Sequence, residues 1–322
     1  MFKRVFGSWD AVVVVALVAV SIVGAFTIEG VGDPRFWRFV TLEAIPIALI
    51  ALPMTLIVIT GEIDLSVASV LGLTCTVMGQ LWVSGVTSLP LLIAISALLG
   101  AALGAVNGLF VTGFGLPSLA VTIGTLALYR GLAFVVLGDR AVANYPPEWT
   151  TSAIKAIPRT TLPWVILVVA ALAVVFGVVL HATPIGRGLY AIGNNAEAAR
   201  FSGVKVRVTK FWLFVVSGAM ASMAGVFWTL RFASARADNG TGLELAVVAA
   251  VLLGGVSIFG GRGALLGVLA AVALLGVLRN ALQLAYVPAN TLTVITGSLL
   301  IASVVGPNVA GMLRDRLRRR HT

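Results

Sequence analysis

The residues of this sequence that could carry out chemistry are few, and they stand in or beside long apolar stretches. Six polar residues of this kind are candidates for contact with a solute: Glu43, Asp64, Ser66, Arg130, Glu244 and Asn280. Carboxylate, hydroxyl, guanidinium and amide groups donate hydrogen bonds to neutral hydroxyl groups or accept hydrogen bonds from them. The set is therefore suited to hold an uncharged, hydroxylated molecule.

Several other kinds of chemistry lack the residues they need. The sequence contains no G-x-x-x-x-G-K-[ST] phosphate loop, and the glycine-rich stretch 254–263 has no lysine after it. That stretch predicts close helix packing and a tight turn rather than nucleotide binding. His181, His321 and the single cysteine, Cys75, suggest neither a metal-ligand cluster nor a disulfide framework. We therefore expect no ATP hydrolysis by this chain itself, no metal site and no cofactor.

The composition requires that most of the chain be surrounded by lipid. Of the 322 residues, 59% are hydrophobic and 11% are charged, and the mean hydropathy is +1.07. A soluble domain carries about 25% charged residues. The net charge of +10 comes from basic residues in loops and in the C-terminal segment. This pattern favours a membrane topology over nucleic-acid binding.

Ten apolar stretches are long enough to cross a bilayer, which takes about 20 residues of helix. They cover residues 11–28, 39–60, 63–83, 90–111, 116–137, 163–182, 210–232, 243–259, 264–284 and 291–306. The first follows Lys3 and Arg4 and resembles a signal peptide, but no clean cleavage site precedes Glu29, so we expect a retained helix. Pro46 and Pro53 lack a backbone donor and are expected to bend or break the second span. The sequence predicts an all-α polytopic membrane protein with about ten transmembrane helices, some of them broken, in one domain over residues 1–322.

The basic residues orient these spans. With the N-terminus in the cytoplasm, 13 of the 22 Lys and Arg residues lie on that side and eight on the other, with Arg130 inside a span. The two densest basic segments, 187–210 and 314–320, fall on the same side. The sequence thus predicts both termini in the cytoplasm, a periplasmic loop at 138–162 and a cytoplasmic loop at 183–209.

The cytoplasmic loop carries local signals for helices. Thr183 followed by Pro184 is a helix start, and Asn195 can cap a further turn that begins with an acidic residue. Residues 183–206, TPIGRGLYAIGNNAEAARFSGVKV, resemble the coupling loop of ABC importer permeases, where a short helix docks in a groove of the ATPase subunit. The resemblance assigns coupling to five residues: Glu197, Ala198, Ala199, Arg200 and Gly203.

This helix also has a plain structural interpretation. The alanines permit close docking, and Gly203 is expected to end the helix in a left-handed turn. The same segment, considered alone, is equally consistent with a solvated connector that carries inside-positive charge.

Three further stretches resemble the ribose-type sugar permeases of ABC importers: GEIDLSVASV at 61–70, LPSLAVTIGTLALYRG at 116–131 and GLELAVVAAVLLGGVSIFGGRG at 242–263. The chain departs from the family pattern at Glu62 and Ala68, where glycine is common. The resemblance implies a multi-pass inner-membrane permease for a monosaccharide, a pentose or deoxyhexose with rhamnose as first choice. The alternative is a furanosyl signalling molecule. The implied partners are an ATP-binding ABC subunit, a periplasmic or lipoprotein sugar-binding protein, and a second permease copy or paralogue, all at the membrane.

Two other functional classes were weighed against this one. A multispan membrane enzyme would need convergent titratable residues in the membrane core, and a proton-coupled secondary transporter would need deep carboxylates. No carboxylate is expected near mid-depth, although the register of residues 61–64 is open. Asp64 either caps the third helix or, with Ser66 facing the solute path, forms part of an inner gate.

The outer half of the membrane collects the remaining polar residues. Glu43, Arg130, Glu244 and Asn280 come from four different spans. Because a charge facing lipid costs several kcal/mol, we expect Arg130 to pair with Glu43 or Glu244. Together these residues would form the mouth that receives sugar from the binding protein.

Overall fold

The computed structural model describes residues 8–288 together with residues 291, 294, 295, 297, 298 and 301. Within these residues the chain forms helices and two isolated β-bridges, without a β-strand, so the predicted all-α class is confirmed. The helices are α1 (Ser8–Thr27), α2 (Pro34–Ile59), α3 (Val67–Val83), α4 (Leu89–Thr112), α5 (Ser118–Leu137), α6 (Pro147–Ile154), α7 (Val165–Ala182), α8 (Pro184–Asn194), α9 (Ala196–Phe201), α10 (Val206–Phe232), α11 (Leu243–Leu253) and α12 (Leu265–Leu284).

Nine of the ten predicted spans coincide with helices of the described part of the chain. Seven of these helices, α1, α2, α4, α5, α7, α10 and α12, are long and apolar enough to cross a membrane. The other two, α3 and α11, are apolar but shorter, with 17 and 11 residues. The predicted span at 243–259 is too long, because α11 ends at Leu253 and a glycine-rich segment follows. The tenth span, 291–306, lies largely outside the described residues, and so do both chain termini.

Helix α2 lies at the centre of the bundle and is buried along most of its length. Asp33 caps its first turn, and Pro34 occupies the position that needs no backbone donor. Of the bend or break predicted at Pro46 and Pro53, the break does not occur, because α2 continues through both prolines as one helix of 26 residues. Helices α10, α11 and α12 pack around it and support this continuity.

Glycines allow α4 and α10 to approach each other closely. Gly100, Gly104 and Gly108 follow at intervals of four residues on α4, and each faces the backbone of α10. Gly218 of α10 lies in turn against the backbone of α4. A Cβ atom at these positions would collide with the opposite helix, so the pair packs through small residues.

The loop predicted at 138–162 contains α6 and is tied to the segment between α10 and α11. Val142 and Ala235 form an antiparallel bridge, in which the two N–H···O distances are 3.0 and 2.8 Å. We call this end of the bundle the loop end. Helices α8 and α9 lie before the first residue of α10, at the opposite end of that helix, which we call the coupling end.

Candidate functional site

The predicted coupling segment consists of α8 and α9. Thr183 and Pro184 start α8 as expected. Asn195 caps α9, because its Oδ1 accepts hydrogen bonds from the backbone N–H groups of Glu197 and Ala198 at 3.0 and 2.9 Å. Gly203 has φ +87°, the left-handed conformation that the sequence predicts after this helix. The local structure of the segment is therefore confirmed, and its role in coupling stays a prediction.

Helix α9 presents most of its side chains to the outside. Glu197, Ala198 and Arg200 are exposed, whereas Ala199 is buried against the bundle. Phe201 follows with 78% of its surface exposed, and the guanidinium of Arg200 stands 5.6 Å from the centre of its ring. The exposed face is thus part charged and part aromatic, as is common at protein interfaces.

Helix α8 is clamped to the coupling end of the bundle. The Tyr190 hydroxyl donates to the carbonyl of Gly263 at 2.8 Å. Burial raises the pKa of Tyr190 to about 12, so this hydroxyl keeps its proton at neutral pH. Gly193 lies against the backbone of Ile59 and Gly261, and the N–H of Gly261 donates to the Ile59 carbonyl at 2.9 Å. Three parts of the chain therefore contact one another here: α8, the end of α2 and the segment between α11 and α12.

The turn between α2 and α3 connects the same region to α10. Glu62 and Lys210 form an ion pair in which both side chains are mostly shielded from solvent. Two residues further along, Asp64 is only 1% exposed. Its Oδ1 accepts from the N–H and the hydroxyl of Ser66 at 3.1 and 2.6 Å, and its Oδ2 accepts from the Ser217 hydroxyl at 2.9 Å.

This network corrects the expectation that Asp64 caps the third helix. Asp64 does not cap α3, because the residue at the cap position is Ser66, and the Asp64 carboxylate accepts from Ser66 itself. Ser66 is fully buried and accepts a hydrogen bond from Asn107 Nδ2 at 2.8 Å, and its place in an inner gate stays a prediction. Asp64 itself lies inside the bundle, where hydroxyl groups from the start of α3 and from α10 donate to its carboxyl oxygens.

Arg130 makes different contacts from those expected. Its guanidinium donates to three backbone carbonyls, those of Ala237 and Asn239 at 2.6 and 2.9 Å and that of Ala68 at 3.1 Å. The predicted pairing with Glu43 or Glu244 is wrong, because the ion pairs of the described residues involve other side chains. Arg130 instead fastens the segment between α10 and α11 onto α3.

That segment carries a second ion pair at the surface. Arg236 donates to both carboxylate oxygens of Asp238, at 2.8 and 2.9 Å. These hydrogen bonds lower the pKa of Asp238 below its ordinary value. The pair is more than half exposed, so its contribution to stability is small.

Of the four residues expected at the outer mouth, the structure joins two. Asn280 of α12 donates from Nδ2 to Glu43 Oε2 of α2 at 2.9 Å. Glu244 lies in the first turn of α11, where the positive end of the helix dipole stabilises its negative charge. Arg130 is separated from this pair and belongs to the α3 contact described above.

A cleft opens beside Glu43 at the loop end, between α2, α10, α11 and α12. Trp228 and Arg231 of α10 line it, and sequence reasoning did not select either of them. Arg231 is one of the eight basic residues that the sequence places on the outer side. The sequence does show that a donor is needed here, because Pro46 has no N–H and leaves the carbonyl of Leu42 without its helical donor. Arg231 donates to that carbonyl at 2.8 Å. Among the described residues, no group of three or more His, Cys, Asp or Glu could hold a metal ion.

Known proteins resemble this chain over most of its length. A model of the family described as branched-chain amino acid transport system, permease component, matches residues 38–304. The autoinducer 2 import system permease protein LsrD of Escherichia coli O157:H7 is 34% identical over 284 residues, which cover 86% of this chain and 85% of the relative. The LsrD proteins of Escherichia coli K12 and Shigella flexneri match to the same extent. No solved structure matches the chain significantly.

The family match covers the spans from α2 onward, including the three stretches that carry the sugar-permease resemblance and the α8–α9 segment. The relatives are named as permeases of an import system, so the permease family predicted from the sequence is confirmed. The chain therefore belongs to this family of ABC transporter permeases, as a multi-pass inner-membrane protein of the ribose-type sugar permease group.

Proposed function

We propose that the chain is the membrane-spanning permease subunit of an ATP-driven importer for a small hydroxylated solute of the monosaccharide class. The observation that carries the proposal is the geometry of the coupling end. Helix α8 is clamped to α2 and to the α11–α12 segment, while α9 exposes Glu197, Ala198 and Arg200. Such an arrangement transmits the movement of a partner docked on α9 directly to the helices of the bundle.

The family and the same geometry support the choice of partners. An ATP-binding ABC subunit would dock on α9 and supply the energy, since the sequence has no phosphate loop. A periplasmic or lipoprotein binding protein would deliver the solute at the loop end. A second copy of this chain, or a paralogue, would complete the path. With the coupling end in the cytoplasm, an even number of spans places both termini there as well.

For the solute, the relatives support a furanosyl compound of the autoinducer 2 kind, because their name assigns them to autoinducer 2 import. The motif resemblance supports pentoses and deoxyhexoses as a second group. Nothing in the comparisons favours rhamnose in particular. Both groups are neutral polyols of similar size, so the proposal commits to that chemistry first.

The test is uptake by the assembled complex in vesicles. The chain is co-expressed with an ABC ATPase subunit and a solute-binding protein, purified as a complex and reconstituted. Labelled autoinducer 2, L-rhamnose and D-ribose are then offered with ATP, without ATP, and with a proton gradient alone. ATP-dependent uptake of at least one probe is expected. Uptake driven by the proton gradient without ATP would instead establish a secondary transporter.

A further inference from the structure

The cleft at the loop end combines charged and aromatic side chains with an apolar wall. It encloses about 120 Å³ and widens towards an open mouth. Glu43, Arg231 and Arg279 are its charged residues, and Trp228 and Phe232 are its aromatic ones. Glu43 is nine residues from the start of α2, so it lies about 13 Å along that helix. The cleft is therefore recessed and does not lie flat on the surface.

Arg231 is held in place with most of its donors unused. Its Nη1 donates to the Leu42 carbonyl at 2.8 Å, and its guanidinium stands 5.5 and 4.7 Å from the ring centres of Phe39 and Phe232. No other hydrogen bond from this guanidinium reaches a described residue, so four of its five N–H donors are available. Packing between two rings fixes the direction in which these donors point.

Glu43 faces the same cleft with one oxygen free among the described residues. Its Oε2 accepts from Asn280, and its Oε1 receives no hydrogen bond. The charge of Glu43 acts on the Arg231 guanidinium, yet the two groups do not come within ion-pair distance. A free acceptor and several free donors thus lie across a gap that no atom of the described residues bridges.

We propose that this cleft binds one neutral polyol of monosaccharide size on its way into the permease, which deepens the function proposed above and rests on it. Hydroxyl groups of the ligand bridge the gap, donating to Glu43 Oε1 and accepting from Arg231. The apolar face of the sugar ring lies against Trp228, whose large flat surface suits C–H groups. A hydroxyl group can both donate and accept, so a polyol can satisfy the Glu43 acceptor and the Arg231 donors together.

The experiment measures whether a solute shields this cleft from a chemical probe. The only cysteine, Cys75, is fully buried, so a charged thiol reagent reports on a newly introduced thiol alone. Ala246→Cys places that thiol in the cleft wall, and Thr241→Cys places one in the exposed segment before α11 as the matched control. The full complex in lipid nanodiscs is labelled with and without autoinducer 2, L-rhamnose or D-ribose.

The probe that the complex imports should slow labelling of the Ala246→Cys protein and leave the Thr241→Cys protein unchanged. At ten times its dissociation constant the slowing is about tenfold, because occupied sites are shielded. Adding Glu43→Gln or Trp228→Ala to Ala246→Cys should shift half-maximal protection to higher concentration. The proposal is overturned if an imported probe leaves Ala246→Cys labelling unchanged, or if neither added change shifts the protection. If the complex imports none of the probes, the proposed function fails first and this inference fails with it.

Discussion

Arg231 Nη1 of α10 donates a hydrogen bond to the carbonyl oxygen of Leu42 in α2 over 2.8 Å. That carbonyl is the one that Pro46, four residues later, cannot satisfy, because proline has no backbone N–H. The guanidinium thus replaces the missing helical donor from a neighbouring helix. This contact helps to explain why α2 continues through Pro46 without a break, and it fixes Arg231 at the edge of the cleft.

The replacement can be tested with a double-mutant cycle. Arg231→Met should lower the thermal stability of the purified protein, because the buried Leu42 carbonyl loses its partner at a cost of about 1–3 kcal/mol. Pro46→Ala supplies the missing N–H, so Arg231→Met should cost much less in that background. Equal losses in both backgrounds would show that Arg231 stabilises the protein by some other contact.

The close approach of α8 to the bundle gives a second prediction. Gly193→Ala should lower folded yield and uptake, because its Cβ would collide with the backbone of Ile59 and Gly261. Gly188→Ala on the same helix is the control, since its Cβ would meet only Val204 Cγ1 at 3.5 Å. Alanine is the better helix former by about 0.5–1 kcal/mol, so this second change should be neutral or stabilising. Similar folded yield and uptake for the two variants would contradict the close contact of α8 with Ile59 and Gly261.

A third prediction concerns the buried carboxylate of Asp64. Asp64→Asn keeps one acceptor for Ser66 and offers a donor to the Ser217 hydroxyl, so we expect a folded protein with uptake near that of the wild type. Asp64→Ala leaves three donors unsatisfied and should reduce folded yield, with Ser217→Ala as the milder comparison. If Asp64→Asn folds normally and does not transport, the charge acts in a gate and the structural role assigned to it is insufficient.

Local signals explain what could be predicted from the sequence. The caps Thr183 and Asn195 and the turn at Gly203 are read from a few neighbouring residues, and all three occur as expected. The apolar spans are equally local, because each is defined by its own length and composition. Each of these features depends only on residues close to it in the sequence.

The contacts that were missed depend on distant parts of the chain. Arg130 binds carbonyls of Ala237 and Asn239, more than 100 residues away, and every residue has a carbonyl, so the sequence marks none of them as a partner. The expectation of a carboxylate partner followed from charge alone. Backbone carbonyls can also accept hydrogen bonds from a guanidinium, in place of a carboxylate, where a helix end or an irregular segment leaves them free.

The correction at Arg130 leads to a fourth prediction. Arg130→Ala should loosen the segment 233–242, since three carbonyl contacts are lost, and faster hydrogen exchange in that segment would report it. Arg140→Ala is the control, because Arg140 bonds only to Leu137 of the preceding helix. The loss of uptake caused by Arg130→Ala should add to the loss caused by Glu43→Gln when the two changes are combined. Non-additive losses would instead indicate an interaction between Arg130 and Glu43, which the structure does not contain.

The last prediction tests coupling through α9. Gly203 has φ +87°, a conformation that costs a β-branched residue more than it costs asparagine. Gly203→Val should therefore displace α9 and reduce the solute imported per ATP hydrolysed, whereas Gly203→Asn should do so much less. Glu197→Lys reverses the charge on the exposed face and should have a similar uncoupling effect. Gly115→Val, at φ +70° in the α4–α5 turn, carries the same backbone strain outside the coupling segment. ATPase activity and uptake are measured in the same vesicles, and wild-type ratios for Gly203→Val and Glu197→Lys would reduce α9 to a connector.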